Sequence, residues 1–238
     1  MRYLLLALLV SGVLLAQPTR PVDEGMTDQG PVRMTIINHA SFVIELPGQV
    51  IYVDPVGANR YEGLPQPDLI LITHTHGDHM DPAAVAKLKK AGTQILGPEL
   101  VAKSVPGTTV IRNGETRQVG GTTVEAVPAY NFKRGPSPGT FFHPKGEGNG
   151  YVLTYIGRRT YIAGDTEAIP EMQALKNIEV AFLPVNSPTM PPEEAAEAAR
   201  SFNPRVLYPY HFRGSDLTVL QKALEGTGIQ VRIRDWYY

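Results

Sequence analysis

Short apolar runs separated by turn residues set the character of this chain. Runs rich in β-branched and aromatic residues occur at 33–37, 42–46, 50–54, 69–73, 122–127, 151–155, 160–163, 180–183 and 206–208, each close to Gly, Pro or Asn, and they predict strands. Helical spacing interrupts them at 82–90, around 169–176, at 192–202 and at 217–224. The first helix is announced by Asp81 as N-cap with Pro82 at the first helical position. Strands with an admixture of helix fill both halves of the chain, and no Gly/Ser linker or charge block divides them. The pattern predicts one α/β domain over 31–238, in which two sheets pack face to face and helices cover the outside.

The N-terminus follows a different pattern. Met1-Arg2-Tyr3 carries one positive charge and leads into an almost unbroken apolar run over 4–16, the arrangement of an export signal peptide. That run is shorter than the ~20 apolar residues a membrane span needs, so the expectation is cleavage after Ala16 and no stable membrane anchor afterwards, with an uncleaved anchor as the alternative. Residues 17–30, rich in Pro, Gly and acidic side chains, read as a flexible leader. The folded part is therefore expected in the periplasm or secreted.

Composition narrows the chemistry. The 238 residues carry 22 Lys+Arg against 23 Asp+Glu, a net charge of −1, which speaks against nucleic acid as a partner. The chain has no cysteine, so disulfides, thiolate metal sites and cysteine nucleophiles are excluded. Any metal must be held by nitrogen and oxygen, and the six histidines become the residues of interest.

Three of the six fall in one segment, where the apolar run 69–72 passes through Thr73 into His74-Thr75-His76-Gly77-Asp78-His79. On an extended backbone residues 74 and 76 point to the same side, so two imidazoles can face one ion. Gly77 lets the chain turn, which brings Asp78 and His79 to a neighbouring position. This spacing suits two divalent ions, with Zn²⁺ favoured and Mn²⁺ or Fe²⁺ compatible with the oxygen donors.

The His-x-His-x-Asp-His signature resembles that of the metallo-β-lactamase superfamily, and the resemblance covers most of 32–238. It implies a four-layer αββα sandwich with the site on one edge. It further implies that Asp54, after the strand at 50–54, supports the signature loop, that Asp165 in Gly164-Asp165-Thr166 bridges the two ions, and that His211 completes the second site beside Asp78 and His79. Asn38-His39-Ala40-Ser41, the Gly-Asp-Thr segment and 189–196 are most similar to the branch containing ascorbate-6-phosphate lactonase-like hydrolases.

One departure stands out. The family supplies a further histidine before the bridging aspartate, whereas this chain reads Val127-Pro128-Ala129-Tyr130-Asn131-Phe132 there. His143 is the replacement expected beside His74 and His76. The alternative is an exposed loop histidine and a first site left incomplete or held by Asn131.

Two ions sharing a water would generate a metal-bound hydroxide near neutral pH. The expected activity is hydrolysis of a lactone, ester or phosphodiester in a small-molecule substrate. Asp78 is expected both to ligate and to orient the water or carry its proton. His39 is expected near the pocket as a proton donor or a supporting residue. Asn186, Thr189 and Met190 lie in a turn where substrate could be met, and Lys133, Arg134 and Lys145 would favour an anionic one. The other reading is a metal-binding or sensing protein of the same fold with weak or no catalysis, motivated by the missing histidine. Oligomeric state is not fixed by these patterns.

Overall fold

The computed structural model describes residues 20–186 and 189–238. The expected signal peptide over 1–16 lies outside the described residues. The first sheet has seven strands in the order β1 (Val22–Thr27), β2 (Gly30–Asn38), β3 (Ser41–Leu46), β4 (Gln49–Val53), β5 (Leu69–Leu71), β6 (Gln94–Gly97) and β7 (Thr108–Val110). The second also has seven, running β14 (Gln230–Val231), β13 (Val206–Tyr210), β12 (Val180–Pro184), β11 (Arg158–Ile162), β10 (Gly148–Tyr155), β9 (Thr122–Ala129) and β8 (Thr116–Val119). In each sheet the first four strands in chain order pair antiparallel and the last three pair parallel. The two halves thus repeat one topology.

Period-two alternation decides what each face covers. Ile51 and Val53 of β4 and Leu69 and Leu71 of β5 face inward, against Leu153, Ile162 and Phe182 of the second sheet. Tyr52 and Ile70 face outward, under Val85 of α1 (Pro82–Leu88) and Val101 of α2 (Glu99–Ser104). From Val50 to Val53 and from Leu69 to Leu71 the strands carry no charged residue because both faces are covered. On the other side Tyr161 and Leu183 are covered by α3 (Pro170–Gln173), α4 (Pro192–Phe202) and α5 (Leu217–Leu224). The result is the αββα sandwich.

Local chemistry sets the helix starts. Asp81 accepts the Ala84 N–H at 2.9 Å and Pro82 opens α1, as the sequence predicts. Asn203 ends α4 in the left-handed region at φ 47°. The leader expected over 17–30 is corrected. Residues 22–27 form β1, paired with β2 from Val22↔Thr35 to Thr27↔Gly30, and Asp23 is anchored by Arg234 at 2.7 Å and by the Tyr208 hydroxyl at 2.6 Å. Its side chains are half-buried or exposed, so no apolar alternation marked it as a strand.

Strands β2, β4, β5, β9, β11 and β13 all run toward the same edge, and the loops that follow their C-terminal ends carry His39, Asp54, His74–His79, Asn131, Asp165 and His211. The opposite edge opens a cleft of about 310 Å³ between the sheets, lined in part by Met34, Ile44, Leu153 and Phe182. Among the described residues no helix is long and apolar enough to cross a membrane.

Candidate metal centre

The signature segment leaves β5 and is fixed at once by Asp54. This carboxylate, fully buried, accepts the Thr73 N–H at 2.7 Å, the Thr73 hydroxyl at 2.7 Å and the His79 Nδ1–H at 2.7 Å. With its hydrogen given to Asp54, the Thr73 oxygen accepts from His74 Nδ1 at 2.9 Å. His74 and His79 therefore both donate from Nδ1, which turns the Nε2 atom of each toward the centre. Asp54 thus takes the supporting position the sequence suggested.

Two groups of potential ligand atoms result, each with all atoms within 4.8 Å of one another: His74, His76, His143 and Asp165 in one, and His39, Asp78, His79 and His211 in the other. His143 is buried, not an exposed loop histidine, and its ring centroid lies 4.9 Å from that of His74 and 4.8 Å from that of His76. Asn131 does not enter the group. It faces the far side of the His143 ring, with Oδ1 2.6 Å from Nδ1.

Asp165 stands between the groups. Its Oδ1 lies 3.4 Å from His79 Nε2, and its Oδ2 lies 3.4 Å from His143 Nε2 and 3.3 Å from His211 Nε2. Gly164 makes this placement possible. It sits at φ +66°, and a Cβ there would come 2.9 Å from the Asn149 carbonyl and 3.2 Å from Thr73 Cβ.

His39 and His211 both adopt positive φ, 56° and 49°, and the His211 N–H donates to the His39 carbonyl at 3.1 Å. His39 Nε2 meets Asp78 Oδ2 at 3.0 Å and Nδ1 meets the Tyr237 hydroxyl at 3.0 Å. The ionised Asp78 carboxylate can only accept, so the His39 Nε2–H goes to Asp78 and the neutral ring's Nδ1 accepts the Tyr237 hydroxyl, whose oxygen also takes the Arg213 N–H at 2.9 Å. No sequence signal marks Tyr237, which is 198 positions from its partner.

The other residues singled out from sequence divide. Met190 is buried in the outer core beneath α4, and Thr189 is buried with its carbonyl 3.4 Å from an Arg134 nitrogen, so neither faces substrate. Asn186 pairs with Met190 in a one-residue bridge. Arg134 pairs with Glu194 at 2.7 Å and lies 3.5 Å from Glu167, and the exposed Lys145 pairs with Glu171 at 2.8 Å. Lys133 lies over the Phe132 ring and makes no ion pair among the described residues.

The protonation pattern of the metal-free protein follows from these contacts. Burial holds the His74 pKa well below the usual imidazole value, and burial with the charges of neighbouring rings brings His143 down to about 4. Burial works against the charged form of His79 as well, yet Asp165, Asp54 and Asp78 overcome it and raise the pKa to about 9. Hydrogen bonds from His211 and His39 hold Asp78 well below the usual carboxylate range. Burial opposes the Asp165 anion, and the surrounding histidines prevail, so it too is depressed.

Whether the site fits metal ions can be judged from its unsatisfied atoms. His74 Nε2, His79 Nε2 and Asp165 Oδ1 are buried and have no hydrogen-bond partner. Orphaned polar atoms of this kind are costly unless another partner is present, and imidazole nitrogen and carboxylate oxygen are the donors a divalent cation takes.

The comparisons agree with this geometry. The beta-lactamase superfamily domain model matches residues 33–211. The UPF0173 metal-dependent hydrolase of Methanopyrus kandleri is 32% identical over 222 residues, covering 85% of this chain and 95% of the relative. A solved structure from Parabacteroides distasonis, provisionally described as a metal-dependent hydrolase, is 43% identical and superposes with a TM-score of 0.85 over 92% of this chain and 100% of its own. The metallo-β-lactamase fold protein YhfI of Bacillus subtilis, 15% identical with a TM-score of 0.69 over 87% of this chain and 98% of its own, shares the fold. On the family match, the relatives and the donor set together, this chain belongs to the metallo-β-lactamase superfamily and is one of its metal-dependent hydrolases.

Proposed function

We propose that the enzyme binds two divalent ions, Zn²⁺ in the first instance, and hydrolyses a lactone, ester or phosphodiester bond in a small-molecule substrate. His74, His76 and His143 would hold one ion, Asp78, His79 and His211 the other, with Asp165 reaching both. The observation that carries this reading is a buried, unpartnered Nε2 in each group, His74 in one and His79 in the other, with the unpartnered Asp165 Oδ1 3.4 Å from His79 Nε2. Bound ions there supply Lewis acidity, polarising the scissile group and acidifying water so that it attacks at neutral pH.

The chain's own residues do the rest. His74 and His143, neutral at pH 7, present lone pairs without first losing a proton. Asp78, half exposed at 49%, is placed to accept a proton from water and to pass that same proton to the leaving group, while the His39 Nε2–H donated to it holds the carboxylate in place. A pocket of about 30 Å³ beside the first group, lined by Thr75, Phe142, Pro144 and Glu147, has room for a water. Likeness of the 38–41 segment to lactonase-like relatives favours a lactone among the candidate bonds. The His143 ring beside those of His74 and His76 supports this reading over a metal-sensing protein with weak or no catalysis.

The apolar run over 4–16 supports export with cleavage after Ala16. Mass spectrometry of the mature N-terminus tests that part. For the activity, metal analysis is paired with a screen of lactones, phosphodiesters and β-lactams. Two ions per chain with turnover are expected, and absence of turnover with every divalent metal would overturn the reading.

A further inference from the structure

His143 sits on the long loop between β9 and β10, where no ladder of backbone hydrogen bonds fixes it, so something else must aim its ring. The far side of that ring meets Asn131, and behind Asn131 lies Glu167, whose side chain is fully buried. Glu167 accepts the Asn131 Nδ2–H at 3.1 Å, the Lys133 N–H at 3.1 Å and the Arg134 N–H at 2.8 Å, with an Arg134 guanidinium nitrogen at 3.5 Å. The Asn131 N–H also donates to the His143 carbonyl at 2.8 Å, so the two loop ends are clasped through backbone as well as side chain.

The polarity of this chain of groups is dictated at its buried end. A carboxylate has only acceptors, so it must face the NH₂ of Asn131 and turn Oδ1 the other way. At 2.6 Å that Oδ1 requires a hydrogen on His143 Nδ1, which leaves the lone pair on Nε2, 3.4 Å from Asp165 and 3.2 Å from His76 Nδ1. We propose that Glu167 is a positioning residue which, through Asn131, fixes the His143 tautomer and aims Nε2 into the His74, His76 and Asp165 group. The proposal rests on the two-ion reading above for its consequence, and on hydrogen bonding alone for the tautomer. It also gives Asn131 a role at the place where the family pattern has a histidine.

Glu167→Gln introduces an NH₂ that can donate to Asn131, turn the amide and put the hydrogen of His143 on Nε2. Two measurements on the full chain test this. Long-range ¹⁵N–¹H correlation spectra of the metal-free protein at pH 7.5, where His143 is neutral, should show Nδ1–H in the wild type and a shift toward Nε2–H in Glu167→Gln. Zn²⁺ titration against a chromophoric chelator should show one of two sites weakened by about 10–100-fold in Glu167→Gln and in Asn131→Ala, the other site unchanged. Should Glu167→Gln not fold, Asn131→Ala and the wild-type tautomer still decide. A wild-type Nε2–H ring, or both variants binding two ions as tightly as wild type, would overturn the proposal. Wild-type protein that takes up no ion yet shows the tautomer change would uphold the positioning role and overturn only the two-ion reading.

Discussion

Asp54 accepts the Nδ1–H of His79 at 2.7 Å with both side chains fully removed from solvent. The same carboxylate holds the Thr73 N–H and hydroxyl, so one residue orients two ligands, His79 directly and His74 through Thr73. Asp54→Ala would leave three buried donors unpaired at about 1–3 kcal/mol each. The expected outcome is a loss of roughly 3–5 kcal/mol in urea unfolding of the metal-free protein, with Zn²⁺ affinity weakened at both sites. A stability change confined to a few tenths of a kcal/mol would show that the contact is not maintained in solution.

Removal of His143 tests the first group. The ring supplies one of three imidazoles there, and its neighbours His74 and His76 remain in place without it. His143→Ala should lower bound metal toward one ion per chain by elemental analysis of dialysed protein. An unchanged stoichiometry would refute its role as ligand.

How much of this was legible in the chain depends on where the information lies. The segment from His74 to His79 is contiguous and follows a strand apolar at every position, so both the site and its strand-end location could be read directly. Helices 192–202 and 217–224 carry clear one-faced periodicity and appear with those bounds. Strands β1 and β8 were missed because they lie at the sheet edges with mostly exposed or half-exposed side chains, and such strands show no apolar alternation. Strands β6, β7 and β14 have only two to four residues, too few for a period to register. Glu167 and Tyr237 were missed for another reason. Their importance is a hydrogen bond to a residue 36 or 198 positions away, which no local pattern encodes.

Unlike His74 and His79, whose Nε2 atoms have no partner, His39 has both ring nitrogens engaged, by Tyr237 and by the Asp78 carboxylate. It should therefore orient Asp78 rather than hold metal. His39→Ala is expected to retain two ions per chain while kcat falls on the order of 100-fold, in line with a general acid–base carboxylate no longer held in place. Loss of an ion in that variant would instead make His39 a ligand.

The buried histidines also predict how the metal-free protein responds to pH. Between about pH 4.5 and 6.5, unfolded His39, His74 and His143 bind protons that the native rings, with lowered pKa values, do not. The unfolded state then holds more protons, so stability rises with pH across this window. Above 6.5 the balance reverses. Native His79 keeps its proton until about pH 9 whereas the unfolded residue has lost it, so stability falls as pH rises from 6.5 to 9. Chelator-treated protein should accordingly show its highest thermal midpoint near pH 6.5 and a decline of roughly 5 °C by pH 9. Divalent ions displace the His79 proton, so metal-loaded protein should lose the alkaline decline, and binding at pH 7.5 should release about one proton per chain, measurable by calorimetry in buffers of different ionisation enthalpy. A metal-free midpoint that keeps rising from pH 6.5 to 9 would mean that His79 is neutral in the native state and that its pairing with Asp54 and Asp165 does not hold the proton.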